Sequence, residues 1–131
     1  MILVDTSVWI SVFRDKTGHT AQVLKKQVGK QTYVLSRFNQ LELLQGAKDQ
    51  NEWDLLDRYL STQIYLEATA STWSEAARIY FELRRKGQTI YSPIDCCIAQ
   101  LALEHGALLL HKDNDFEEIA RVRPLIQARL R

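Results

Sequence analysis

The chain has 131 residues, 46% hydrophobic and 25% charged, with 5 Gly and 2 Pro, which suits one domain with its own core and excludes disorder as the main state. Seventeen Lys and Arg against sixteen Asp and Glu leave a formal charge of +1, so a globally basic nucleic-acid footprint is excluded and any polyanion must be held by a local patch. The only cysteines, Cys96 and Cys97, are adjacent and cannot pair with each other in an ordinary disulfide, which excludes an oxidised scaffold and fits a reducing cytoplasm.

Ile2 to Val4 is a continuous apolar run and reads as an interior strand of a parallel sheet. The apolar start from Met1 to Phe13 is broken at Asp5 and has no basic leader; it is too short for a membrane span and lacks the pattern of a signal peptide, so a soluble protein is expected. Asp5, Thr6 and Ser7 are all N-cap types and lead into a helix carrying Val8, Trp9, Val12 and Phe13. A second helix is predicted over about His19 to Val28, stopped by Gly29, and a short strand over Tyr33 to Leu35. Ser36 caps a helix from about Arg37 to Ala47 with an apolar stripe of Phe38, Leu41 and Leu44. A further helix runs through Trp53 to Leu60, and Ile64 to Leu66 is a third strand candidate. Ser71 or Thr72 opens a long helix that ends at Arg84-Arg85-Lys86-Gly87, with cations in the last turn and Gly just beyond. Ser92-Pro93-Ile94-Asp95 opens a helix that is apolar nearly all round and stops at Gly106, the pattern of a buried central helix. Ala107 to Leu110 is the next strand, followed by a polar turn from His111 to Asp115 and a short helix. The tail from Val122 to Arg131 fits an edge strand or a helix equally.

Short strands alternating with longer helices indicate an α/β domain with a mostly parallel central sheet flanked by helices. Ligands of such sheets sit at the carboxyl ends of the strands. Asp5 and the pair Asp113 and Asp115 each fall just past an apolar strand, Asp95 stands in the first turn of the buried helix, and Glu42 flanks an apolar stripe. Each has a plain structural explanation. Asp5 can cap a helix, Asp95 can complete a capping box with Ser92, Asp113 and Asp115 can form a turn, and Glu42 can reach solvent. Brought together on one rim they would repel, and a hard divalent cation is the simplest compensation.

Ile2-Leu3-Val4-Asp5-Thr6-Ser7, the spaced Glu42, the helix start Ser92-Pro93-Ile94-Asp95 running into Cys96-Cys97-Ile98-Ala99, and the late Leu109-Leu110-His111-Lys112-Asp113-Asn114-Asp115-Phe116 resemble the PIN-domain ribonucleases, specifically the VapC-type toxins of bacterial toxin–antitoxin pairs. The likeness spans essentially the whole chain, residues 1–131, as one PIN-like domain. It implies a metal-dependent endoribonuclease that hydrolyses RNA, often tRNA, with Mg²⁺ or Mn²⁺. Carried over by position, Asp5, Glu42, Asp95 and Asp113 would be the acidic quartet, with Asp115 a fifth acid able to exchange roles with Asp113. Asp5, Asp95, Asp113 and Asp115 would be the metal ligands, and Glu42 would orient or deprotonate the attacking water. The resemblance also implies a homodimer, blocked by a VapB-type antitoxin segment draped over the acidic groove, for which Trp9, Phe13, Trp53 and Tyr59 offer apolar contacts. One departure stands out: many relatives carry Thr or Ser where this chain has His111.

RNA approaching a negative site needs flanking cations, and Arg14, Arg37, Arg85 and Lys112 are the candidates, with Arg84 and Lys86 beside them. His19, His105 and His111 show no zinc spacing, and Cys96 and Cys97 read as core packing. Two rival readings accompany the nuclease. A haloacid-dehalogenase-type phosphatase also begins with Asp after an apolar strand, but Ser7 stands where it needs a second Asp. A non-catalytic interaction module would use the acids only as caps and turns.

Overall fold

The computed structural model describes residues 1–90 and 92–131. The first apolar run forms β1 (Ile2–Val4), and α1 (Thr6–Arg14) starts directly behind it because the Asp5 carboxylate accepts the Ser7 amide hydrogen as an N-cap. Then come α2 (His19–Val28), β2 (Tyr33–Ser36), α3 (Arg37–Gln45), α4 (Gln50–Leu60) and β3 (Tyr65–Leu66). The second half contributes α5 (Ala70–Arg85), α6 (Pro93–His105), β4 (Leu108–His111), α7 (Asn114–Ile119) and β5 (Gln127–Arg129).

All five strands are parallel, in the order β3-β2-β1-β4-β5. The α/β reading with a parallel sheet between helices therefore holds. Side chains alternate across the sheet, and two apolar clusters result. Leu3, Val34 and Leu109 face one cluster with Ile79 and Leu83 of α5, Ile98 and Ala102 of α6 and Phe116 of α7. Ile2, Val4, Leu35 and Leu110 face the other, with Val8 and Trp9 of α1, Leu24 of α2, Leu43 of α3 and Leu60 of α4. As expected, α6 is the buried central helix: Ile98, Ala99, Leu101 and Ala102 are all buried.

Several expected boundaries move. The polar turn was expected to start at His111, but His111 is the last residue of β4 and fully buried. The opening of α5 lies earlier than Ser71, at Ala70, because Thr69 and Thr72 form its capping box. In α3 the expected stripe of Phe38, Leu41 and Leu44 holds in part: Phe38 and Leu44 are half-buried against the core, but Leu41 is exposed, and Leu43 and the polar Asn39 are the buried residues. The tail is a strand, since β5 pairs in register with β4 from Leu109↔Gln127 to His111↔Arg129.

Candidate active site

The site lies where β1 and β4 run side by side. Val4 pairs with Leu110, and the Asp5 amide donates to the Leu110 carbonyl at 2.9 Å. The segments leaving both strands therefore meet at one rim. Behind β1 comes Asp5, behind β4 come Asp113 at the cap of α7 and Asp115 in its first turn, and from the first turn of α6 comes Asp95.

Asp95, Asp113 and Asp115 each offer a carboxylate oxygen, and the three oxygens lie within 4.8 Å of one another. Asp95 and Asp115 are 7% and 4% exposed, and Asp5 beside them 3%. These are carboxylates in low dielectric, where the charged form is costly. Burial is the largest influence raising the Asp95 proton affinity, followed by its hydrogen bond with Asp115 and the charges of Asp113, Asp5 and Asp115. Asp5 is also raised by burial, opposed by hydrogen bonds from Ser7 and Thr6, with the Asp113 charge adding to the rise. Glu42, half-buried on α3, is raised by burial, opposed by a bond from Thr6, and feels both Asp5 and Asp113. All five acids thus belong to one electrostatic neighbourhood.

The capping explanations are correct for some acids and not for others. Asp5 caps α1 and Asp113 caps α7, through the amides of Ser7 and Asp115. Asp95 completes no capping box. Ser92 caps α6 by accepting from the Ile94 amide, and the Asp95 carboxylate turns to Asp115 instead. Glu42 does not simply reach into solvent, because it accepts from Thr6 Oγ1 at 2.9 Å. Among the described residues, no Lys or Arg is ion-paired with Asp5, Glu42, Asp95 or Asp113. A hard, all-oxygen donor set of this kind is the chemistry that a divalent cation satisfies.

A ring of neutral polar groups supports the acids, and sequence reasoning did not find its members. Ser7 donates to Asp5 Oδ2 through its amide (2.9 Å) and its hydroxyl (2.6 Å), and accepts the Lys112 amide hydrogen at 2.9 Å. Asn39, fully buried, donates to Thr6 Oγ1 at 3.0 Å and toward Asp5 Oδ1 at 3.5 Å, while its own Oδ1 accepts from Ser36. The available signal was Asn39 lying three residues before Glu42, and so on the same helical face. Ser7, the position at which a phosphatase of the dehalogenase type needs an acid, serves here as a hydrogen-bond donor to Asp5.

The four candidate cations sit in different settings. Arg14 lines a cleft together with Glu42. Lys112 stands directly before Asp113, its Nζ 3.0 Å from Ser11 Oγ. Arg37 is bound through two nitrogens to Glu67 and lies over the Tyr65 ring. Arg85 lies over the Phe81 ring. Of the four aromatic residues offered for a docking surface, Trp9 is buried in the core, whereas Phe13, Trp53 and Tyr59 are exposed. No helix among the described residues is long and apolar enough to cross a membrane.

The chain is similar to known proteins both in sequence and in fold. The PIN domain family model matches residues 2–122. Ribonuclease VapC11 of Mycobacterium tuberculosis is 36% identical over 134 aligned residues, covering 100% of both chains. Among solved structures, VapBC2 from Rickettsia felis bound to a promoter DNA fragment superposes with a TM-score of 0.78 at 22% identity, covering 98% of each chain. DNA-bound VapBC from Salmonella typhimurium gives 0.79 at 20% identity, covering 99% of this chain and 98% of the other. The structural matches speak for the fold, and the full-length sequence match speaks for the lineage. The chain belongs to the PIN-domain family and, within it, to the VapC ribonucleases.

Proposed function

We propose that this chain is a metal-dependent endoribonuclease that hydrolyses RNA phosphodiester bonds and acts as the toxin of a toxin–antitoxin pair, with residues 1–131 working as one PIN domain. The observation that carries this reading is the convergence of Asp95, Asp113 and Asp115 within 4.8 Å, on a rim shared with Asp5 and Glu42. Asp95, Asp113 and Asp115, with Asp5 beside them, would hold Mg²⁺ or Mn²⁺. A bound divalent ion supplies an acidified water and stabilises charge developing on the phosphoryl oxygens.

Asp5, Glu42, Asp95 and Asp113 form the proposed catalytic quartet. The raised proton affinity of Glu42 suits it to take a proton from the attacking water, and the Thr6 hydroxyl fixes the orientation of its carboxylate. Ser7 and Asn39 hold Asp5 by hydrogen bonds to its two oxygens, so its carboxylate stays in place without an ion pair. Arg14 and Lys112 flank the acids and would meet the RNA backbone first, while Arg37 would exchange Glu67 for phosphate and Arg85 would contribute from the end of α5.

The relative named above is a ribonuclease by name, and the matched structures are VapBC by title. These support a VapB-type antitoxin as the partner and an RNA substrate; a homodimer is the working unit of this proposal. The two free cysteines agree with a reducing cytoplasm.

The test is to incubate the purified chain with RNA and Mg²⁺ or Mn²⁺ and to sequence the new ends with and without EDTA. Cleavage should require the ion, and folded Asp95→Asn protein should be slowed by more than about 100-fold, beyond the usual loss for a residue that only supports a metal ligand. An Asp95→Asn protein cutting at the wild-type rate would overturn the reading.

A further inference from the structure

The turn that carries Asp113 and Asp115 is held by side chains. The Lys112 amide donates to Ser7 Oγ at 2.9 Å, and the Asp115 amide donates to Asp113 Oδ1 at 2.9 Å. The Asp113 amide donates to His111 Nδ1 at 3.1 Å. An amide nitrogen can only donate, so Nδ1 must present its lone pair and the ring proton sits on Nε2. Nε2 in turn lies 2.7 Å from Gln127 Oε1, across the β4–β5 pairing. The imidazole is fully buried, with the Phe116 ring 5.2 Å from it. Both nitrogens are occupied inside the protein, so His111 has no face left for a phosphate or a substrate.

We propose that His111 is a positioning residue for the acidic centre: its Nδ1 anchors the main chain of Asp113 so that this carboxylate meets those of Asp95 and Asp115, and Gln127 sets the ring for that task. Asp113 leaves the strand with extended backbone (φ −136°, ψ 125°). In that conformation its part-buried amide would otherwise lie beside the ring without an acceptor, a penalty that favours a different turn. Acceptance by Nδ1 removes the penalty and fixes where the Asp113 side chain departs. His111 and Gln127 thus tie the main chain of the acidic turn to the last strand, where Arg129 also binds the side chains of Asn114 and Glu117.

This inference rests on the metal-site reading, and its test separates the two. Two amide variants probe the two nitrogens of the ring. In His111→Asn the side-chain oxygen falls near the position of Nδ1 and can accept from the Asp113 amide. In His111→Gln the amide reaches the position of Nε2 and leaves Asp113 unsupported. Calorimetric titration with Mn²⁺ alone reads the site independently of RNA, and melting in EDTA shows which variants are folded. His111→Asn should bind Mn²⁺ within about threefold of wild type, and His111→Gln should lose about 10-fold or more, the usual scale for a supporting residue of a metal site. In RNA cleavage, His111→Gln should regain rate at high Mn²⁺ with an unchanged KM for RNA. Equal Mn²⁺ affinity in the two variants, or the reverse order, overturns the proposal. Should His111→Gln not fold, Gln127→Leu decides: it keeps Nδ1 but frees the ring, so weakened Mn²⁺ binding supports the proposal and wild-type binding overturns it. A wild-type chain that binds no Mn²⁺ overturns the metal-site reading along with this inference.

Discussion

At the scale of single residues the question is why charge is tolerated in so dry a place. Asp95 sits in the first turn of α6, where a carboxylate is often explained by the helix end alone. Its side chain spends its hydrogen bond on Asp115, another acid, and burial raises its proton affinity above the ordinary value of 3.8. The sign of the linkage follows. An acid raised in the folded state supports folding fully below its ordinary value and loses that support as pH climbs through the raised one. Without a cation, Asp95 therefore penalises the fold increasingly from about pH 4 upward. Asp5 and Glu42 shift in the same direction, whereas Asp15, Glu82 and Glu117 are lowered and act the other way. The difference between wild type and Asp95→Asn isolates the one group. In EDTA the variant should melt higher at pH 7.5 by about 3–8 °C, the shift that one or two kcal/mol gives in a domain of this size, and the gap should shrink toward pH 4. Added Mn²⁺ should raise the wild type and leave the variant nearly unmoved. Scanning calorimetry across pH reads this, and a variant melting below wild type in EDTA would show that Asp95 stabilises the fold as a structural group.

At the scale of elements, legibility followed locality. The ends of α2, α6 and β1 could be placed from neighbouring residues because the stop and start chemistry is carried there: Gly29 and Gly106 with positive φ, Ser92 as a cap, and Asp5 behind an apolar run. What failed needed a partner from elsewhere. β5 could not be told from a helix because its identity comes from pairing with β4, and His111 looks like a turn residue in sequence because its strand partner Arg129 and its side-chain partner Gln127 are remote. The face of α3 differs at Leu41 for a related reason: Asn39 takes a core position that apolar patterning reserves for a hydrophobe. Its amide caps the helix through Ser36 and reaches Thr6 and Asp5. Asn39→Leu keeps the branched outline but removes all of these side-chain bonds, so it should cost about 1–3 kcal/mol in urea unfolding and also slow RNA cleavage by releasing Asp5. Ile98→Ala, in the fully buried middle of α6, should cost about 2–5 kcal/mol with no specific effect on metal affinity. If both variants lost stability alone, Asn39 would be a core residue and not a support of the site.

At the scale of the whole molecule, the strand order does what no local pattern contains. The five acids were legible as oddities, yet only the adjacency of β1 and β4 brings residues over a hundred positions apart onto one rim. The same arrangement opens a cleft of about 550 Å³ between α1, α3 and α4 that runs from Glu42 past Arg14 to Phe13, Leu55 and Tyr59. Its outer residues are large apolar side chains left in water: Phe13, Tyr59 and above all Leu55, which is 64% exposed. Exposed apolar surface of this kind is a mark of an interaction site. Continuity with Glu42 means that a chain lying in the cleft would also cover the acids. An antitoxin segment that inhibits by occlusion should therefore depend on this apolar wall, whereas RNA hydrolysis should not. Leu55→Glu tests the division, because Leu55 is exposed enough for the fold to tolerate the change. The variant should cut RNA within about twofold of wild type when free, since Leu55 contributes no group to the acidic rim. Inhibition by the cognate antitoxin should weaken by about 10-fold or more, as expected when a well-packed apolar contact is replaced by a charge. Titrating cleavage against antitoxin measures both quantities in one experiment, and an unchanged inhibition curve would mean that the antitoxin covers the acids from another side.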